Sequence, residues 1–149
     1  MEEKKNKIYI STVVIFWIVF AFFILMVSGM YFGMYLPFSN FFVGMPLRVV
    51  LSLSGIALII LAARARFTKI SKAFFILTGS AALGIGLSII LHNLVFALLI
   101  KLFGEGIWSG MGDEPVFFIL ATIVCPLALL VGAIGSMVFI AKKKVIIKE

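Results

Sequence analysis

His92 is the one histidine of this chain and Cys125 the one cysteine, and both stand inside long runs of apolar residues. An unperturbed imidazole titrates at about pH 6.5, so in apolar surroundings it can carry a proton or coordinate a ligand or metal. The plainer alternative is a neutral imidazole that donates a hydrogen bond and ties two helices together. Partners for that bond are at hand: Ser88 stands one turn earlier, and Pro126, lacking an amide hydrogen, deprives the Thr122 carbonyl of its helical donor. Counted along their own helices, His92 and Cys125 lie about 14 and 15 Å from the same end, which makes them possible neighbours. His92, Asn93, Ser88, Thr122 and Cys125 are therefore the candidate polar site.

A second pattern is a methionine ladder, Met26, Met30 and Met34, with Met45 and Met111 in connecting segments. Thioethers suit a soft metal such as Cu(I), and copper transporters of the Ctr type use an MxxxM pair in a membrane helix, which this chain resembles in that pair alone. Adaptable packing accounts for such ladders equally directly, and no metal site is expected here. Asp113 and Glu114 have Arg48, at the same membrane surface, as their expected ion-pair partner, and with Glu105 they form an acidic group that could be read as a divalent-cation site. Acids before Pro115 favour the positive end of a helix, one of them as N-cap, so a divalent-cation site is not needed to explain them.

Several chemistries lack their parts. One cysteine cannot make an internal disulfide or a dithiol relay, and one histidine cannot supply both axial ligands of a haem held between helices. No phosphate-binding glycine loop, nucleophile elbow or HExxH zinc motif occurs. The sequence thus points to no cofactor and to a non-enzymatic role.

The elements that would position these residues are four apolar segments, 8–35, 47–63, 73–100 and 115–141, in a chain that is 64% hydrophobic. At about 1.5 Å rise per residue, about 20 residues cross a hydrocarbon core of about 30 Å. Only helices satisfy their own backbone in lipid at such lengths. The expected fold is an all-α integral membrane four-helix bundle, one domain over 1–149, with helices at about 8–35, 45–63, 73–101 and 114–141. Eleven of the thirteen Lys and Arg residues flank the two termini and the link between helices 2 and 3, whereas Arg48 and Lys101 fall on the other side. That bias predicts both termini in the cytoplasm, with helix 1 as a retained anchor because its apolar run exceeds a secretory core. The formal net charge of +7 sits beside apolar spans, so anionic lipid at the cytoplasmic face, and not nucleic acid, is the expected partner. A homo-oligomer or a larger membrane partner would complete the assembly, and Trp108 reads as an interfacial anchor.

Helices in lipid associate through close packing of small residues. On helix 4, Ala121, Cys125, Ala128, Gly132 and Gly135 mark an inward seam opposite Ile119, Ile123, Leu127, Leu130, Ile134 and Met137. On helix 3 the corresponding stripe is Ser80, Gly84, Ser88 and His92. Gly29 and Gly33 form a GxxxG pair on helix 1.

His92 and Asn93, then Asp113, Glu114 and Pro115, then Cys125 and Pro126 through Gly132 to Ser136 resemble a group of small four-span prokaryotic membrane proteins without assigned activity. The resemblance covers the C-terminal half and implies fold and origin, not mechanism. The likeness to the eicosanoid and glutathione membrane enzymes is one of size alone. The functional expectation is an interaction or accessory subunit; the alternative is a small oligomeric transporter or channel for protons, ions or soft metals centred on His92.

Overall fold

A computed structural model describes residues 2–32, 44–104 and 115–142. Gly33, Met34, Glu105, Trp108, Met111, Asp113, Glu114 and the lysines at 143, 144 and 148 lie outside these residues.

Four helices make up the described chain. The first, α1, spans Glu2–Phe32, six residues earlier than its apolar run, because the charged start is itself helix-forming and Lys7 pairs with Glu3 at i, i+4 over 2.8 Å. The second, α2, spans Gly44–Arg64, and α3 spans Lys69–Phe103. The fourth, α4, runs over 115–141 and is helical throughout, with a π turn at Leu120–Val124 between Pro115–Ile119 and Cys125–Ala141. That turn sits immediately before Pro126, and the Cys125 amide donates five residues back to the Leu120 carbonyl. The widened turn is how the helix passes a residue that cannot donate and whose ring crowds the carbonyl one turn before it.

The link between α2 and α3 is only residues 65–68, much shorter than expected. Of its four predicted basic residues only Arg66 is in the link; Arg64 ends α2, and Lys69 and Lys72 belong to the first turns of α3. The sequence view started α3 where the charges stop, but Thr68 caps the helix earlier: its hydroxyl oxygen accepts from the Ser71 amide at 3.2 Å. Lys72 Nζ then reaches across to the Ala63 carbonyl at 2.9 Å, satisfying an orphan acceptor at the end of α2. Phe67 is buried beneath the helices, stacked on Phe75 at 4.9 Å and edge-on to Tyr9 at 6.0 Å.

The helices pack in chain order, with α3 at the centre between α2 and α4, and α1 against α2 with a lesser contact to α3. The α2–α3 crossing is glycine on glycine: a Cβ added to Gly55 would lie 2.6 Å from the Gly79 carbonyl oxygen, and one added to Gly79 2.8 Å from that of Gly55. The α3–α4 seam is set by Gly132 against Thr78, Gly135 against Phe74, and Gly84 against the Cys125 sulfur. Core side chains recur at alternating steps of three and four, as in Phe16, Val19, Phe23 and Met26 of α1 and Leu51, Gly55, Leu58 and Ala62 of α2.

Large aliphatic side chains also cover the outside of every helix; Leu53, Ile90 and Ile134 are each at least 60% exposed. Helices apolar on all sides belong inside a large core or a bilayer. All four are long and apolar enough to cross a membrane, over Asn6–Gly29, Pro46–Arg64, Lys69–Phe103 and Val116–Ala141. By length and composition these are four candidate membrane-spanning helices, the pattern of a multi-pass membrane protein.

Candidate functional site

Both described termini and the α2–α3 link lie at one end of the bundle, here the terminal end; the ends of α1 and α3 and the starts of α2 and α4 form the distal end. The facing pairs on α3 and α4 fix the depth of each polar residue. Gly84 meets Cys125, and His92 lies eight residues further along α3, about 12 Å toward the distal end. His92 and Cys125 are therefore not neighbours. Depth measured from the end of each helix separately misleads because α3, with 35 residues, runs past the described ends of its partners at the distal end. Carried along both helices, the register brings His92 level with the first turn of α4.

The candidate polar site separates accordingly. Asn93 is exposed, and its amide nitrogen donates to the Ile89 carbonyl of its own helix at 2.9 Å. Ser88 is buried one turn from His92. Thr122 donates back to the Phe118 carbonyl at 2.6 Å. His92 is half-buried, with its Nδ1 atom shielded from solvent and its ring 6.0 Å from that of Phe96.

His92 and Thr122 do meet on the wall of one cavity of about 450 Å³. Phe23, Met26 and Val27 of α1 form one side, Ile85, Ile89 and His92 of α3 the floor, and α4 from Phe117 to Leu130 the other side. Arg48, near the start of α2, closes the set. The cavity exists because α1 and α4 make no substantial contact among the described residues. The sequence pattern makes Arg48 an outer-surface charge paired with Asp113 and Glu114, whose positions lie outside the described residues. The available signal was its depth: Arg48 is already two residues inside the span that starts at Pro46.

The packing residues also redistribute. Ala121 and Gly132 are buried, Gly135 lies against the Phe74 ring, and Ala128 packs on the core. Ser80, expected on the same seam as Gly84, is exposed. Each i+4 step turns a helix by about 40° beyond a full circle, so a strict four-residue stripe rotates off any straight neighbour, whereas alternating steps of three and four stay on it. Met137, expected on the outer face of α4, packs instead against the core. Gly29 is exposed, with nothing within 4 Å of an added Cβ. Gly55, Gly79, Gly86 and Ser52, which build the α2–α3 seam, were missed, although Gly55 is the one glycine in the interior of its helix.

Met26 of the methionine ladder is buried in the core. Among the described residues, no three His, Cys, Asp or Glu side chains group as a metal ion would require. No family model, curated protein or solved structure matches the chain.

Proposed function

We propose that the chain is a small multi-pass protein of a prokaryotic cell membrane, with both termini in the cytoplasm, that acts as an interaction or accessory subunit and not as an enzyme. The observation that carries this reading is the open helix array. The edge helices α1 and α4 are each packed from one side only and present long apolar faces to the surroundings. Faces of that kind are satisfied by lipid or by another membrane helix. Several hydroxyls inside the spans are spent locally: Thr12, Ser52, Thr78 and Thr122 each donate to the carbonyl four residues back. Orientation rests on the lysines and arginines concentrated at the terminal end, the bias that holds loops in the cytoplasm.

The alternative, an oligomeric transporter or channel centred on His92, draws on the cavity that His92 shares with Arg48. Its walls are mostly apolar, and toward the terminal end Phe75, Leu58 and Leu129 pack the interior completely. A conduit for ions would have to open through that packing.

Cysteine mapping tests the orientation. In a Cys125→Ala background, Gly110→Cys should react with an impermeant maleimide from outside intact cells and Lys143→Cys should not; reversed labelling overturns the topology. Affinity purification from native membranes tests the role. An accessory subunit should bring down a larger membrane protein and keep doing so with His92→Gln. Proton or ion flux in liposomes by the purified chain alone, abolished by His92→Gln in a folded protein, would replace this reading with the transporter.

A further inference from the structure

The distal cavity combines three features that no role in helix packing explains. It is lined mostly by hydrocarbon, with Phe23, Ile85 and Leu130 on three different walls. It lies in the gap between α1 and α4, the two edge helices, which make no substantial contact among the described residues. Finally, Arg48 and His92 both line it, and Gly86, which lies against Ser52 and 3.5 Å from the Arg48 carbonyl as an added Cβ would measure it, puts the two within about two turns of each other along α3.

We propose that this cavity is a binding site for one anionic phospholipid of the leaflet at the distal end. The phosphate lies against the Arg48 guanidinium and the His92 imidazole, and one acyl chain lies between α1 and α4. The inference rests on the membrane-spanning reading above. Its physical basis is charge complementarity at the mouth of an apolar slot. A guanidinium keeps its charge, and its planar donors match the oxygens of a phosphate. Set beside a membrane span, it recruits anionic headgroups. The remaining wall is apolar apart from Thr122, whose hydroxyl proton is already given to the Phe118 carbonyl, so it has no donor left for a phosphate. Along α4 the lining extends from Phe117 to Leu130, about 20 Å of helix, comparable with an extended acyl chain. The apolar stretch of the cavity, away from Arg48 and His92, suits hydrocarbon better than water.

The test is lipid retention. Carbonate-resistant pelleting first establishes that the full chain and each variant are inserted in the membrane, so a failed lipid assay counts against this site alone. The protein is then reconstituted in nanodiscs of equal phosphatidylglycerol and phosphatidylcholine with identical chains, released into mild detergent and examined by native mass spectrometry. Wild type should retain phosphatidylglycerol about tenfold over phosphatidylcholine, since both phosphates can accept from Arg48 but the choline ammonium cancels the headgroup charge and is repelled by the guanidinium. Arg48→Gln should bring the ratio to about one, Arg48→Lys should keep part of it, and His92→Gln should lower it less than Arg48→Gln. Leu130→Trp, which fills the slot, should reduce retention of both lipids while circular dichroism stays helical. An unchanged ratio in Arg48→Gln overturns the proposal. So does an equal loss in Arg64→Gln, a basic residue at the other end of the bundle, because the preference would then belong to general surface charge.

Discussion

The terminal and distal halves of this bundle are built from the same apolar residue types but pack in different ways. In the terminal half a link of four residues draws α2 and α3 together, Phe67 fills the space beneath them, and the Phe16 ring meets Phe75 edge-on at 5.6 Å. Gly55 on Gly79 and Gly132 on Thr78 bring backbones close enough to leave no room for a side chain. The helices α1 and α4 make no substantial contact along their described length, and in the distal half the gap between them becomes a cavity. The difference shows that small residues decide where helices close. Where a seam offers glycine or alanine in register the backbones meet, and the gap between α1 and α4 is lined instead by large side chains, Phe23 on α1 and Phe117 and Leu130 on α4.

The largest effect should come from inserting bulk at the tightest crossing. Gly79→Leu would drive a side chain into the Gly55 carbonyl and Ile59, and should abolish a monodisperse species in size-exclusion chromatography; a stable protein with unchanged retention would mean that the crossing is not the keystone of the closed half. Removing the ring that fills the link comes next. Phe67→Ala should cost about 3 kcal/mol, read as a lowered melting temperature in detergent, because the buried ring contacts both Phe75 and Tyr9. Thr68→Ala removes the N-cap of α3 and should cost about 1 kcal/mol by the same measurement. The outer, open surface should tolerate change: a Cβ added at Gly29 meets nothing within 4 Å, so Gly29→Leu should stay within about 0.5 kcal/mol of wild type, and a larger loss would reveal a helix contact at that face. The smallest expected change carries a sign. Ser136 is fully buried and its hydroxyl has no hydrogen-bond partner among the described residues, so Ser136→Ala should leave the melting temperature unchanged or raise it.

How legible the bundle was in the sequence depended on the kind of information each feature needed. The four helices could be read because each is long enough, at about 1.5 Å per residue, to carry its own signal of unbroken apolar residues. The seam of α4 could be read because Ala121, Cys125, Ala128, Gly132 and Gly135 step by four and three, the rhythm that keeps residues on one side of a helix. The stripe on α3 could be read only in part, since Ser80, Gly84, Ser88 and His92 step by four throughout and rotate away from the seam, leaving Ser80 exposed. The start of α3 was placed late because Thr68 caps it through a side-chain bond that a hydropathy pattern does not register.

The sequence by itself determined the number of helices, their apolar character on every side and the segregation of basic residues to one end, because these depend on composition along a single segment. The tertiary structure alone decided which helices are neighbours and at what relative depth. Depth is a property of pairs: His92 and Cys125 have similar distances from their own helix ends, yet the contact of Gly84 with Cys125 sets them about 12 Å apart. The same register brings His92 into one cavity with Arg48, 44 residues earlier in the chain. No local pattern links those two positions; they come together because small residues let α2 and α4 close on α3 while bulkier ones keep α1 and α4 apart.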